Sequence, residues 1–398
     1  VVVIAYGTTK RRNFTGSVSS LKMDDSPVAM VNNTNALETL KGSIPGLDIG
    51  ASKEVGGTPS MQVRGQSSIS GSNDPLVVVD GIIFMGDINT INPSDIASID
   101  VLKDATSAAA YGSRSANGVI MITTKKGKMG KPVINFSTRG TMQTWHRKPE
   151  LMNGAQWLDA VAAANKYSDY SFLVPQEEIN YKAGNEINWL DEISRTGWLQ
   201  DHQIAVSGAG EKMNYYLSTS YTDNKGVIKG DEYNRISVLG KINADITSWL
   251  QIGLDAAYTR SDYGGIGANV WSASILSPYG MMYRPNGMLE AVPDGTRGRG
   301  NPLWGIDDES KRENIDYRDN LRANAYALVK CTWIKGLSYR LNYAGNLNYR
   351  KTGDFTHESN YVPIGNYDDD SRYSISTQNS YLSSANGNIT NERETSYV

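Results

Sequence analysis

Cysteine and histidine are almost missing from this chain, and their scarcity removes whole classes of chemistry. Cys331 stands alone, so no internal disulfide can form, and the 3 His residues (His146, His202 and His357) are scattered. A Cys/His metal site would lack ligands, and no Ser/His/Asp or Cys/His catalytic arrangement suggests itself, so neither an enzyme nor a resident cofactor is expected. Also lacking is any apolar run approaching the roughly 18 residues that a membrane-spanning helix requires; mean hydropathy is −0.43. Charge of one sign is lacking as well. Lys plus Arg number 39 against 42 Asp plus Glu, a net −3 that offers no footprint for nucleic acid. Neither an initiating Met nor a signal peptide precedes Val1, which reads as a precursor whose start lies elsewhere. Phe is scarce, at 5, whereas Tyr (23), Trp (8) and Gly (39) are plentiful. A membrane role for this composition requires alternating strands closed into a barrel, because lipid leaves backbone polar groups no other partner.

Three textures follow one another along the chain. Residues 1–20, VVVIAYGTTKRRNFTGSVSS, are a β-branched run and then a Gly, Thr, Ser and basic stretch with little to pack, which reads as an extended tail and linker. Residues 21–130 mix short apolar strands (61–64, 76–79, 99–102, 119–124) with helix starts and read as a small α+β domain. Asn92 is placed to cap a turn with Pro93 in its first position and Asp95 suited to the dipole. Asp104 precedes ATSAAAY, a helix that Gly112 can close. Past KKGKMGK (125–131), residues 131–398 turn to period-2 alternation.

In 235–246, Ile236, Val238, Gly240, Ile242, Ala244 and Ile246 share one face, while Arg235, Ser237, Lys241, Asn243 and Asp245 share the other. Leu250, Ile252, Leu254, Ala256 and Tyr258 likewise oppose Gln251, Asp255 and Thr259, and the pattern returns with Leu337, Tyr339, Leu341, Tyr343, Leu347 and Tyr349. Such segments are long enough to cross a bilayer at a tilt, for which about 9 to 11 residues suffice. Alternation alone fits a soluble β-sandwich equally well. Two features favour a lipid-facing wall. The apolar faces accept Gly, Ala, Thr and Tyr rather than large aliphatics only. With strands near 134–142, 203–208, 215–222, 235–246, 250–260, 321–333 and 337–349, the connections also alternate between long and short, as outer-membrane barrels require. Trp249 and Trp333 fall beside short turns, where an interfacial aromatic girdle belongs.

The runs LKGSIPGLDI (40–49), GTPSMQVRGQSSISGSNDPLVVVDGI (57–82) and INPSDIASIDVLKDATSAAAYGSRSANGVIMITTKKGK (91–128) resemble the plug domain of SusC-like (SusC/RagA) TonB-dependent transporters. The resemblance covers the entire plug; beyond Lys131 it rests on the barrel pattern. It implies a transmembrane antiparallel β-barrel of about 22 strands with an N-terminal α+β plug domain inside its lumen. It further implies TonB-dependent import of a bulky nutrient, oligosaccharide or peptide, across the outer membrane of a Bacteroidetes-type Gram-negative bacterium. A SusD-like surface lipoprotein, closing over the barrel, is the implied partner. At most about eight or nine strands fit here, so the chain reads as the front portion of a longer protein; a half-barrel would leave lipid-exposed edges.

The resemblance also implies roles for particular positions. Val1, Val2, Val3, Ile4, Ala5, Tyr6 and Gly7 resemble the VVVxGYG segment at the TonB box, which an inner-membrane energy transducer captures as an added strand. Ala5 stands where the family more usually has Gly, and a strand that pairs within this chain is the other reading. Arg64 and Lys103 match positions whose basic side chains pair with acidic residues of the inner barrel wall. Relatives often carry Arg where Lys103 stands, and either residue could be simply solvated. Ser67, Ser68, Ser70, Asn73 and Asp74, with the segment 84–89 that includes Phe84 and Asn89, are expected to face the nutrient from below. Trp157, Trp189, Trp198, Trp271 and Trp304 lie in the long outer links, where rings can stack on cargo, Trp271 and Trp304 being the candidates retained. Loop packing explains them as well, since 152–167 reads as a helix that folds Trp157 inward. The acidic run at 368–370 is solvated charge or a calcium site in an outer loop. GSRSANG lacks a phosphate-loop context. A passive porin or surface adhesin is the alternative function, and a secreted β-rich enzyme a third.

Overall fold

The computed structural model describes residues 2–4, 7–9, 18–23, 31, 33–52, 54–65, 73–103, 111–112, 115–166, 169–284, 287–295, 299–306, 312–334, 336–356, 364–366, 374–375 and 386–397. Its first elements, β1 (Val2–Ile4) and β2 (Gly7–Thr9), pair with each other in a two-stranded hairpin that joins neither larger sheet. A globule follows. β3 (Val18–Lys22), β8 (Ile96–Leu102), β9 (Val119–Thr124), β6 (Leu76–Val79) and β7 (Ile82–Ile83) form a five-stranded sheet in that order. β4 (Leu47–Ile49) and β5 (Met61–Val63) pair beside it. Strand periodicity sends successive side chains to opposite faces. Val77, Val79, Ile99, Val101, Ile120 and Ile122 accordingly pack on one core with Leu37, Leu40 and Ile88, while Val78, Leu102, Val119 and Met121 build a second. The run VVVDGII turns at Asp80 (φ 51) and Gly81 (φ 88), both left-handed, which gives a two-residue hairpin whose twist matches its strands. Asn92 caps the turn Pro93–Asp95 by accepting the Ser94 N–H at 2.9 Å, as the sequence suggests. The helix expected at ATSAAAY lies outside the described residues.

The alternating part builds one antiparallel sheet of eight strands. In order these are β10 (Gly130–Gln143), β11 (Gly197–Ala209), β12 (Met213–Lys225), β13 (Glu232–Asp245), β14 (Leu250–Asp262), β15 (Arg312–Lys330), β16 (Ser338–Thr356) and, after the small pair β17 (Ile364–Asn366) and β18 (Ser374–Ile375), β19 (Asn386–Tyr397). Burial runs opposite to that of a soluble sandwich. On β13 the charged Arg235 and Lys241 are each 1% exposed against the globule, while Ile236 and Ile242 are 48% and 49% exposed on the outer side. The sheet is therefore wet within and oily without, which excludes the sandwich reading. Trp249 (45%) and Trp333 (85%) stand exposed beside their short turns.

Strands run further than the alternation alone suggests. At about 3.4 Å per residue the 19-residue β15 and β16 span ~65 Å, well past a hydrocarbon core ~30 Å thick. Their polar outer ends pair regularly, Arg312 with Thr356 and Asp316 with Thr352. Trp198 belongs to β11 rather than to a loop, and Cys331 lies just past the end of β15, outside the strand expected near 321–333. The long links at 144–196 and 263–311 pack on each other through Trp189, Leu190, Ile193, Ala273, Leu276 and Leu303. Asn153 and Gln156 form a reciprocal capping box that starts the helix Gly154–Asn165, whose Trp157 turns inward against Phe172 and Tyr279.

Candidate functional site

Polar side chains join the globule to the wall at many points, beside a few apolar contacts such as Phe84 and Ile91 near Leu239 and Ala257. Asp95 is placed by the Asn92 cap, and its Oδ1 accepts from Gln203 Nε2 at 2.7 Å, Tyr216 OH at 2.9 Å and Ser218 Oγ at 2.6 Å. Arg235 reaches the other way: its Nη1 donates to the Thr34 carbonyl at 2.8 Å and the Asn89 carbonyl at 2.7 Å, and its Nη2 to Thr222 Oγ1 at 3.3 Å. Asn92 donates to Ser220 Oγ at 2.6 Å, and Thr259 Oγ1 to the Thr90 carbonyl at 2.8 Å. Arg139 meets Ser94 of the globule and Asp201 of the wall.

A buried ion pair completes the seam. Asp80, held by the hairpin turn, accepts from Lys241 Nζ at 2.6 Å and from the N–H and Oγ1 of Thr124 at 3.0 and 2.8 Å. Burial pushes the Asp80 carboxyl up, but the Lys241 ammonium and the Thr124 N–H outweigh it and hold the group at about 2. Burial wins at Asp95, whose carboxyl is raised despite its three donors.

Above the seam the globule ends in a tip, Glu54 to Gly56, that divides two cavities. One, of about 670 Å³, lies between Asn33, Thr34, Glu38, Lys41 and Ser52 of the globule and Gln143, Trp145 and Asn224 of the wall and its first link. The other, of about 420 Å³, is bordered by Glu232, Tyr263, Asp316 and Arg318. Glu54, Val55, Ile228, Asp231 and Val270 border both. Gly56 (φ +69) lies flat on the Tyr233 ring, where a Cβ would stand 2.3 Å from the ring carbons. The Val55 N–H donates to Asp231 Oδ2 at 3.3 Å. Burial raises the Asp231 carboxyl. Arg195 holds the same outer turn through the Gly226 and Asp231 carbonyls and Glu232.

Several residues nominated from sequence take other places. Lys103 donates to the Pro45 carbonyl within the globule. Arg64 (φ 59) is exposed at the end of β5. Two ion pairs that cross the seam among the described residues have the reverse polarity, acid on the globule and base on the wall: Asp80 with Lys241, and Asp87 with Arg318 at 3.9 Å. Phe84 is buried in the globule core with the Arg322 guanidinium 5.5 Å from its ring centre, so it does not face the mouth. Asn89 is also buried; its amide donates to the Gly56 carbonyl at 2.9 Å and Thr58 Oγ1 at 2.7 Å and so steadies the tip. Trp304 packs in the core of the outer links, whereas Trp271 is 72% exposed beside Val270 at the cavity mouths. Asn73 is half-buried and Asp74 exposed. Val1, Ala5, Tyr6, Ser67, Ser68, Ser70 and the acidic run at 368–370 lie outside the described residues. Among the described residues no cluster suits a metal ion. The sequence places Asp95 at a turn and Arg235 and Lys241 on a polar strand face, but assigns none of them, nor Asp80, to the seam. The signal available was two long cations, Arg235 and Lys241, on one face of a strand otherwise suited to lipid.

Comparison with known proteins agrees with this architecture. Residues 10–119 match the family model for the TonB-dependent receptor plug domain. TonB-dependent receptor P3 of Formosa agariphila is 31% identical over 372 residues, 89% of this chain and 34% of that protein. TonB-dependent receptor SusC of Bacteroides thetaiotaomicron is 29% identical over 325 residues, 76% of this chain and 31% of that protein. The chain thus spans about a third of the length of these relatives. Among solved structures, that of the RagAB peptide transporter superposes with a TM-score of 0.74 at 23% identity, over 89% of this chain and 43% of the other. The RagAB importer in its open-open state gives 0.77 at 21%, over 100% and 54%.

Proposed function

Because the chain belongs to the SusC-like branch of the TonB-dependent receptors, outer-membrane β-barrel proteins of Bacteroidetes-type bacteria, we propose that it serves TonB-dependent import of a bulky nutrient. In this reading residues 1–20 couple the energy, 21–130 plug the lumen and 131–398 begin the barrel. A SusD-like lipoprotein closes the outer mouth, and the cargo is an oligosaccharide or a peptide, the latter carried by the RagAB transporter as its name states.

The observation that supports this most is the polar seam. Hydrogen bonds and a paired charge hold the plug where apolar adhesion would fix it, and water can replace such bonds one at a time. A passive porin has no use for a plug tied into its lumen by Asp80, Asp95 and Arg235. The β-branched opening segment has a backbone suited to strand addition on an exposed sheet edge. Deleting residues 1–7 from the full-length transporter is expected to abolish energised uptake while outer-membrane insertion persists. Uptake that survives the deletion rejects energy coupling and favours the porin or adhesin.

A further inference from the structure

We propose that a third cavity, between the globule and strands β10 to β12, binds an anionic group of the cargo, a carboxylate or a sulfate ester, between Lys125 of the plug and Arg139 of the wall. This rests on the importer reading.

The cavity, of about 280 Å³, is lined from the globule by Asn33, Ser94 and Lys125 and from the wall by Asn135, Ser137 and Arg139. The three wall residues alternate along β10 and so share its lumen face. Gln143, four residues further out on that face, borders the larger mouth cavity, and Asn33 borders both cavities. The third cavity therefore adjoins the mouth and lies lower along the wall, by ~14 Å at about 3.4 Å per residue.

Its charged groups divide by access. Lys125 makes no side-chain hydrogen bond or ion pair among the described residues, and its ammonium keeps accessible surface. The Arg139 side chain is 29% exposed. The neighbouring carboxylates are shut away: Asp95 is 5% exposed and Asp201 4%. Asp95 is turned into Gln203, Tyr216 and Ser218, and Asp201 into Thr222 and Arg139. No carboxylate among the described residues lines the cavity. A group entering it meets two cations, and low-dielectric walls focus their field.

Neutral donors complete the set. Ser94 Oγ accepts from Arg139 and so keeps its own proton to give. Ser137 makes no side-chain hydrogen bond among the described residues, and its hydroxyl is accessible. Hydrogen bonds from such groups to an ionised acceptor are the strong kind. A structural pair needs only Arg139 and Asp201; Lys125 adds nothing to it, and its charge is what an anion would use. The mouth above has the opposite balance, Glu38, Glu54 and Asp231 against Lys41. An acidic group is disfavoured there and favoured one step further in.

The test uses the full-length transporter in detergent and two probe pairs matched except for charge: trigalacturonate with its methyl ester, and a capped glutamate tripeptide with its glutamine counterpart. Inorganic sulfate is the remaining probe. Calorimetric titration at low ionic strength should show the charged member of one pair binding wild type roughly tenfold tighter than its neutral twin, a preference that salt diminishes. Lys125→Gln should abolish the preference and Lys125→Arg restore it, with the neutral twin binding all three proteins alike. Equal affinity within both pairs, or binding by neither pair, overturns the site, and so does a preference that survives Lys125→Gln. Sulfate held through Lys125 with no preference in either pair overturns cargo as the source and leaves a free-ion site. None of these results touches the importer reading, which uptake after deletion of residues 1–7 decides.

Discussion

Lys241→Met asks how much of the plug's hold on the barrel is paired charge. Lys241 is 1% exposed and Asp80 10%, with 2.6 Å between ammonium and carboxylate. Removing the ammonium leaves Asp80 buried with Thr124 as its remaining donor, and with Asp255 within electrostatic reach. Breaking a buried pair from one side costs about 3–5 kcal/mol, because the surviving charge keeps its desolvation penalty. The depression of the Asp80 carboxyl from 3.8 to about 2 gives a separate estimate of ~2.5 kcal/mol. Since the folded value lies below the unfolded one, that stabilisation is whole above about pH 4 and disappears as pH falls through about 2. Asp80→Asn is the milder change, because Lys241 keeps Asp255 nearby. The double variant should recover most of the loss, as replacing both partners commonly does. Hydrogen exchange at 76–83 and 119–124 in the full-length transporter measures this. Lys241→Met should speed it roughly a hundredfold or more at neutral pH, by the scale of about 1.4 kcal/mol per tenfold. Single-variant effects that add to the double within ~0.5 kcal/mol would refute the pairing.

Asp95→Asn keeps an acceptor oxygen for Gln203, Tyr216 and Ser218 and removes a carboxylate that burial raises. Seam stability in wild type should fall as pH rises above about 4, and the variant should flatten that slope in pH-dependent denaturation. Gly56→Ala forces a Cβ onto Tyr233 at a left-handed φ; thermal melting of the purified transporter should register a loss of at least ~1 kcal/mol. Trp189→Ala should cost the outer links ~3–5 kcal/mol, whereas Trp271→Ala stays within ~0.5 kcal/mol, as limited proteolysis of the links can compare. Fluorescence of Trp249 and Trp333, each kept as a sole tryptophan, should be quenched by brominated lipid; an unquenched pair would place the girdle wrongly.

Much of the wall was legible in its sequence because lipid exposure and lumen exposure impose opposite chemistry on alternate residues. Ile236 and Ile242 against Arg235 and Lys241 state the two faces outright. β19 escaped notice because NGNITNERETSY is polar on both faces; it pairs along the polar outer part of β16, from Thr356 down to Gly345. The alternation spans less than the full strands for the same reason, since it fails where hydrocarbon ends. The plug strands 76–79 and 119–124 were plain from their β-branched runs. The seam was not, since Asp95 meets Gln203 across 108 positions and no local pattern records which wall residue a turn will face. Lys103 illustrates the same limit: its charge was visible, its partner Pro45 was not.

β9 passes through residues 125–128 directly into β10, and this junction is fitted closely. Met129 bridges to Ala209, and a Cβ on Gly127 would stand 2.1 Å from the Gly208 carbonyl oxygen and 2.5 Å from that of Tyr215. At the opposite end, residues 1–9 lead to β3, a margin strand joined to the sheet only through β8. In the proposed importer, traction on the leading end would therefore strip β3 first, while the trailing end stays joined to the wall through β10. Such a plug would act as a tethered stopper, ravelling from one side and reseating in place.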